Sequence, residues 1–598
     1  IRDPEMSRGL GDVYKRQLCI KENAGTPAQT GAAAESARVP GLHRRAEMQM
    51  LRKAVSIDFE QIGVGFRPDV EYAVFLGNHG QTRLSFSSIL YAKIAPVNEI
   101  LGDELDSLCY NESKSQKGVN CMERKRWYKD KVFYQIWPRS FKDGDGDGMG
   151  DLWGVYEKLD YIKSLGCDGI WFSPIYPSPG ADCGYDISNY RDIAPEFGGM
   201  EAFKKVLEGA HARDMKVVMD LVVNHTSDEH EWFQKSRRRI DPYTDYYIWR
   251  PGKPGGKLPN NWDSFFEGKA WAFDEVRGEY YLHLFAVKQP DLNMDNPKVR
   301  EEVKGILRFW LDMGVDGFRE DVITYISKKE GLPDDHLMPT CKGLPCYNHG
   351  PHIHEYLNEF KHDVLDHYDC FTLAEAPMVT PKRALTYIDE KDGQLDMMIQ
   401  FQCIAADCLF TDYLPTKFSL RRMKKAFSSW QERLRGRGWN SLYIENHDHP
   451  RIVSRYGSEE FWAQSAKCLA AMYLFQQGTP FIYQGQEIGM ENCRMESVEE
   501  YNDINTKDQY QLARSMGLSE EEALLCCYRL SRDNARTPMQ WSEEKNAGFT
   551  KGVPWLRVNP NYHRINIESQ IRSEDSLFSY YKAVSYTHLR AHETSQDL

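Results

Sequence analysis

The chain has 598 residues, and 75 basic against 88 acidic side chains give a net charge of −13 at pH 7. Apolar residues make up 41% and aromatics 12%, enough for a large core, which excludes disordered, collagen-like and low-complexity proteins. The acidic balance, without a basic stripe, excludes a protein that wraps nucleic acid.

Residues 1–121 show no sustained periodicity and read as an artefactual or disordered leader. Within them, MSRGLGDVYKRQ has the texture of translated cloning or adaptor sequence, and no apolar secretion signal opens the chain. From Met122 the texture changes to aromatic-rich strands and amphipathic helices.

Eight strands are predicted in order: VFYQIW from Val132, DGIWFSP from Asp168, KVVMDLVV from Lys216, DGFRED from Asp316, FTLAE from Phe371, MMIQFQ from Met397, SLYIENHD from Ser441 and TPFIYQG from Thr479. Helical periodicity fills the gaps, and glycine stands at the helix-stop positions after VYEKLDYIKSLG and VREEVKGILRFWLDMG. The expected fold is α/β, a (β/α)8 TIM barrel over 122–223 and 297–583, with its active site at the C-terminal ends of the strands. A doubly wound open sheet competes, but no glycine-rich phosphate turn follows the first strand.

Residues 224–296 are too long for a simple connection and read as a small inserted domain rich in Trp, Tyr, Phe and His. Near the C-terminus, SLFSYYKA begins a helix, and residues 584–598 (VSYTHLRAHETSQDL) show no helical apolar face and read as a foreign tail. No run reaches the ~18 apolar residues of a membrane-spanning helix. Fourteen cysteines without paired spacing fit reduced, buried thiols in a soluble cytoplasmic protein.

Three acids fall at strand ends: Asp321 after the fourth, Glu375 after the fifth and Asp448 after the seventh. Strand alternation puts Arg319 on the face of Asp321 and turns Glu320 away. An arginine two residues before a carboxylate holds it ionised and oriented. One such acid would be an ordinary cap or loop residue. Three, with His225 and His447 at further ends, match glycoside hydrolysis, which needs an ionised carboxylate, a protonated carboxyl and groups that grip sugar hydroxyls.

DLVVNH, GFRED, LAEA and ENHD resemble the four short regions of the α-amylase superfamily, and QPDLN resembles a fifth in its oligo-1,6-glucosidase subfamily. GYDISNY, NHTSDEHEWF, YYIWRPGK and RDNARTPMQW are similar to that subfamily as well, from about Arg126 to Lys582. The resemblance implies a retaining α-glucosidase with Asp321 as nucleophile, Glu375 as acid and base, and Asp448 gripping the 2- and 3-hydroxyls. His225, His447 and Arg319 would bind or orient, while Asp182, Tyr185 and Arg536 would close the non-reducing end and make the enzyme exo-acting. Valine at 322 accompanies α-1,6 activity in relatives. A maltose-preferring α-glucosidase and a trehalose-6-phosphate hydrolase are the alternatives. An inactive sugar-binding or transporter-associated homologue would lack the acids or carry a membrane span. The expected partner is an oligosaccharide substrate, with no nucleic acid and no membrane, and the expected state is a monomer.

In DGDGDGMGD, Asp143, Asp145, Asp147, the Met149 carbonyl and Asp151 occupy calcium-loop positions, although the closing glutamate of an EF-hand is absent. A solvated acidic turn is the plain alternative. Relatives carry Ca2+ here, so structural Ca2+ is expected, with Mg2+ as the alternative. Three departures from the family stand out: Glu320 beside the nucleophile, a last helix cut near Lys582 without the C-terminal β-sandwich, and the extra residues 1–121. The natural chain is expected to begin at Met122 and to continue past the break.

Overall fold

The computed structural model describes residues 126–596, except 267 and 410. The leader reading for 1–121 lies outside the described residues.

Thirteen strands are described. Eight of them close a parallel barrel: β1 (Phe133–Ile136), β2 (Gly169–Phe172), β3 (Lys216–Leu221), β7 (Gly317–Glu320), β8 (Phe371–Glu375), β9 (Met397–Ile399), β12 (Trp439–Leu442) and β13 (Thr479–Tyr483). The intervening β4 (Trp249–Arg250), β5 (Trp271–Asp274) and β6 (Glu279–Leu282) form an antiparallel sheet in the insertion, and β10 (Cys408–Leu409) pairs with β11 (Thr411–Pro415). The eight barrel strands fall on the eight predicted runs. Around the barrel they follow chain order, each parallel to the next, so helices must cross outside it.

Side-chain alternation sorts the strand residues into two layers. Phe133, Trp171, Val218, Phe371, Leu373, Met397 and Phe481 pack inside the barrel, with Phe133 stacked on Phe481 at 5.2 Å. Tyr134, Ile170, Val217, Phe318 and Ile482 pack outward with the helices. At Gly169 a Cβ would stand 2.4 Å from the Phe133 ring, so only glycine lets β1 and β2 approach there. The helix Pro297–Met313 starts at an Asn296 cap and stops at Gly314, whose φ of +105° continues the chain without a Cβ clash.

The insertion has its own core, in which Phe233 stacks on Trp249 at 5.4 Å, and Trp262, Trp271 and Leu284 join barrel residues Val322 and Tyr325. Its helix, Glu231–Ser236, lies inside the stretch that periodicity left without one.

Two readings need correction. β12 begins at Trp439 and ends at Leu442, so Asp448 stands on the following loop rather than at the strand end. The chain leaves the ladder because Glu445 accepts hydrogen bonds from Arg451 Nη1 (2.6 Å) and from the Ile452 N–H (3.0 Å). The last helix does not break near Lys582 but runs Leu577–Gln596. Val584, Ser585 and His588 are buried in it, and the His588 ring nitrogens lie 2.7 and 2.9 Å from the carbonyls of Leu474 and Gly478. Among the described residues no helix is long and apolar enough to cross a membrane.

Candidate active site

The site begins with strand register. β3 and β7 place Asp220 opposite Arg319, both pointing into the barrel. Arg319 is buried, and one guanidinium meets three carboxylates: Nη1 lies 2.6 Å from Asp220 Oδ1 and 2.8 Å from Asp321 Oδ1, while Nη2 lies 2.8 Å from Glu375 Oε2. Its face lies over Trp171, 5.5 Å from the ring centroid, which floors the pocket.

Burial raises the Asp321 and Glu375 carboxyls above the usual range, and Arg319 only partly opposes it. Burial likewise pushes Asp220 up to about 6. Shared among three carboxylates, the one cation of Arg319 only partly offsets the desolvation that raises them. Arg319 holds Asp321 and Glu375 on the two nitrogens of one guanidinium, each at 2.8 Å. Glu375 Oε2 also accepts from the Val322 N–H at 3.1 Å.

Above Trp171, His447 is fixed on every side. Trp137 stacks on the ring at 5.3 Å, and the Tyr185 ring lies nearly parallel to it with centroids 5.6 Å apart. Gln135 Nε2 donates to its Nδ1 at 2.8 Å, leaving Nε2 to face the Tyr185 hydroxyl at 2.6 Å and Asp448 Oδ2 at 3.0 Å. Burial pushes His447 and His225 down to about 4, so both rings are neutral and suit hydroxyl recognition. Burial alone would raise Asp448, but His447, Arg532 and Arg536 hold it well below the usual carboxylate range.

One end of the pocket is sealed by charge. Arg532 lies 3.2 Å from Asp182, 3.3 Å from Asp448 and 2.6 Å from Asp503, while Arg536 lies 3.2 Å from Asp448 and over the Trp137 ring at 4.5 Å. Gln289, from QPDLN, donates to Asp182 Oδ2 at 3.2 Å and stands 3.1 Å from His225 Nε2. Asp182, Tyr185, His225, Arg319, Asp321, Glu375, His447, Asp448 and Arg536 therefore belong to one connected pocket. Glu320 is buried on the opposite face of β7, as alternation requires.

Sequence reading missed Asp220, Arg532, Asp503 and Gln135. Three of them had a signal. Asp220 opens DLVVNH, a motif already singled out, and pairs with Arg319 across the ladder of β3 and β7. Arg532 precedes Arg536 by four residues, the spacing that brings two side chains to one helix face. Gln135 had one too, since it lies on β1 two residues after the inward Phe133 and so faces the barrel interior. Asp503 had none, because only the folded segment after β13 brings it here.

The acidic loop gathers part of its set. Carboxylate oxygens of Asp143, Asp145 and Asp151 lie within 4.8 Å of one another. Asp147 is exposed and accepts from the Met149 N–H at 2.7 Å, so its side chain stands outside that group. Asp143 accepts from the Gly146 and Gly148 N–H groups and from the Thr550 hydroxyl. Asp151 caps the next helix through Gly154 N–H at 2.7 Å.

A closed parallel barrel with adjoining acids, an orienting arginine and neutral histidines past the ends of its strands is the arrangement of a glycoside hydrolase. The family model described as alpha amylase, catalytic domain, matches residues 135–596, and the chain belongs to the α-amylase family. It is similar to the oligo-1,6-glucosidase of Parageobacillus thermoglucosidasius, 53% identical over 465 residues, which cover 76% of this chain and 82% of that protein. Among solved structures, the trehalose-6-phosphate hydrolase of Bacillus licheniformis aligns with a TM-score of 0.74 at 45% identity, covering 78% of this chain and 84% of that one. The isomaltulose synthase of Erwinia rhapontici NX5 aligns with a TM-score of 0.75 at 43% identity, with coverage of 78% and 84%.

Proposed function

We propose that the chain is an exo-acting, retaining α-glucosidase that removes terminal glucose from α-1,6-linked oligosaccharides. The observation that carries the retaining mechanism is the bridging of Asp321 and Glu375 by one guanidinium, with Nη1 2.8 Å from Asp321 and Nη2 2.8 Å from Glu375. A retaining hydrolase keeps its two carboxyls about 5–5.5 Å apart, closer than an inverting one that needs room for a water, and acids that share one guanidinium fit the closer spacing. Glu375 gives its proton to the glycosidic oxygen as the bond to the anomeric carbon breaks, and Asp321 forms an ester with that carbon. Glu375, now a carboxylate, takes a proton from water, which attacks the ester and frees glucose with its original anomeric configuration. Asp448 and the neutral His225 and His447 grip ring hydroxyls, and Asp182, Tyr185 and Arg536 hold the terminal ring.

The α-1,6 preference rests on Val322, an apolar side chain beside the nucleophile, and on the relative from Parageobacillus. A phosphotrehalase would need cations free to meet a phosphate. Arg532 and Arg536 are already engaged by Asp182, Asp448 and Asp503, which favours the neutral substrate.

Structural Ca2+, with Mg2+ as the alternative, is assigned to Asp143, Asp145 and Asp151, with the Met149 carbonyl as a further oxygen ligand. Clustered carboxylate oxygens suit a hard divalent cation, whose charge would relieve their repulsion and tie the loop together. A cytoplasmic location is part of this reading, since buried thiols outside any disulfide, such as Cys167 and Cys493, suit a reducing compartment.

The test is glucose release from isomaltose, maltose and trehalose 6-phosphate, with Asp321→Asn as control. Faster release from isomaltose, lost in the control, supports the assignment. A maltose preference overturns the linkage, and release from the phosphorylated sugar alone overturns the substrate class.

A further inference from the structure

Val322 is the residue whose backbone least fits its side chain. It sits at φ +34° and ψ +39°, in the left-handed region, directly after Asp321 and before the turn Ile323–Tyr325. A β-branched side chain is a marked outlier there, because its Cβ substituents crowd the neighbouring carbonyl. Such a conformation persists only when the surroundings impose it.

Two sets of contacts impose it. The Val322 side chain is buried in a cluster with Trp262, Trp271, Leu282 and Leu284 of the inserted domain. The Val322 carbonyl accepts from the Tyr325 N–H at 2.8 Å. Held in this way, the Val322 N–H points at Glu375 Oε2, 3.1 Å away, the same oxygen that Arg319 Nη2 approaches at 2.8 Å. Two donors on Oε2 leave Oε1 as the oxygen free to carry a proton.

We infer that Val322 is a positioning residue for Glu375, acting through its strained backbone: its N–H, with Arg319, fixes Oε2 as the unprotonated oxygen and presents the acidic proton on Oε1. The inserted domain then does more than shape the pocket mouth, since its core holds the turn that orients the acid. This inference rests on the glycosidase reading above.

The experiment compares kcat/KM on isomaltose, whose leaving alcohol needs protonation, with 4-nitrophenyl α-glucoside, whose leaving group does not. Val322→Pro removes the N–H and forbids positive φ. It should lower activity on isomaltose about 10- to 100-fold more than on the aryl glucoside. The basic limb of its pH profile should move to higher pH, because a donor to the carboxylate form is lost. Val322→Gly keeps the N–H and is at ease in the left-handed region, so the basic limb of its pH profile should stay where the parent's is, whatever its rate on isomaltose loses with the side chain.

If the proline variant does not fold, Leu284→Ala loosens the clamp instead. It should move the basic limb of the pH profile to higher pH, and Leu284→Ala with Val322→Gly should move it back. Equal losses on both substrates in the proline variant, or a basic limb that glycine does not move back, would falsify the positioning role. If the parent chain releases glucose from neither substrate, it is the glycosidase reading that fails.

Discussion

Arg319 Nη1 lies 2.8 Å from Asp321 Oδ1, two residues further along the same strand face, while its Nη2 reaches Glu375 on the next strand. One guanidinium thus ties the two acids together. Lysine donates from one nitrogen and lacks the planar fork that here reaches the two acids from two separate nitrogens. Arg319→Lys should lower kcat on isomaltose by at least about 100-fold. Arg319→Ala, which strands buried carboxylates, should also cost about 3–5 kcal/mol of stability by denaturant titration.

Stability should depend on pH through buried histidines. Burial pushes His225, His230 and His447 down to about 4 in the folded chain, against about 6.5 when unfolded. Below about 6.5 the unfolded chain binds protons that the folded chain refuses, so stability is full above that pH and is lost as the pH falls towards about 4. Thermal melting between pH 4 and 7.5 checks this, and His230→Gln should flatten the slope.

The sealed end of the pocket should answer to Arg532. Arg532→Ala leaves Asp182 and Asp503 without their shared cation. KM for isomaltose should rise about 10-fold or more, with a smaller change in kcat, because the terminal ring loses its fixed partners while the reacting acids stay in place. Initial-rate kinetics on isomaltose measure both parameters.

Metal addition tests the acidic loop. With Ca2+ at 100 times its dissociation constant, binding stabilises a folded chain by about 2.7 kcal/mol. The melting temperature should rise on adding Ca2+ and fall with chelator, and Asp145→Asn should abolish the difference. A parent chain indifferent to both would leave the loop an ordinary acidic turn.

The barrel was legible in the sequence because each strand, such as KVVMDLVV, is a short apolar run closed by a chemistry-bearing residue. Asp321 and Glu375 could be placed for the same reason, since strand alternation fixes their direction. Asp448 was less legible: Glu445 and Arg451 pull the chain off the ladder, and that contact depends on loops distant in sequence. Arg532 and Asp503 meet only through the segment after β13, where no period governs direction. The strain at Val322 left no trace in composition, because valine there looks like one more strand residue. The last helix was cut short because its apolar contacts are few. His588 holds it instead through two backbone carbonyls, a bond that a hydrophobic period does not report.

The central claim is a retaining displacement by Asp321 with Glu375 as acid. The measurement that tests it most directly is the anomer of glucose first released from isomaltose, followed by proton NMR before mutarotation. The account predicts α-glucose from the parent chain and none from Asp321→Asn. Initial β-glucose would contradict it, because that product requires water to attack the anomeric carbon directly, with no ester on Asp321.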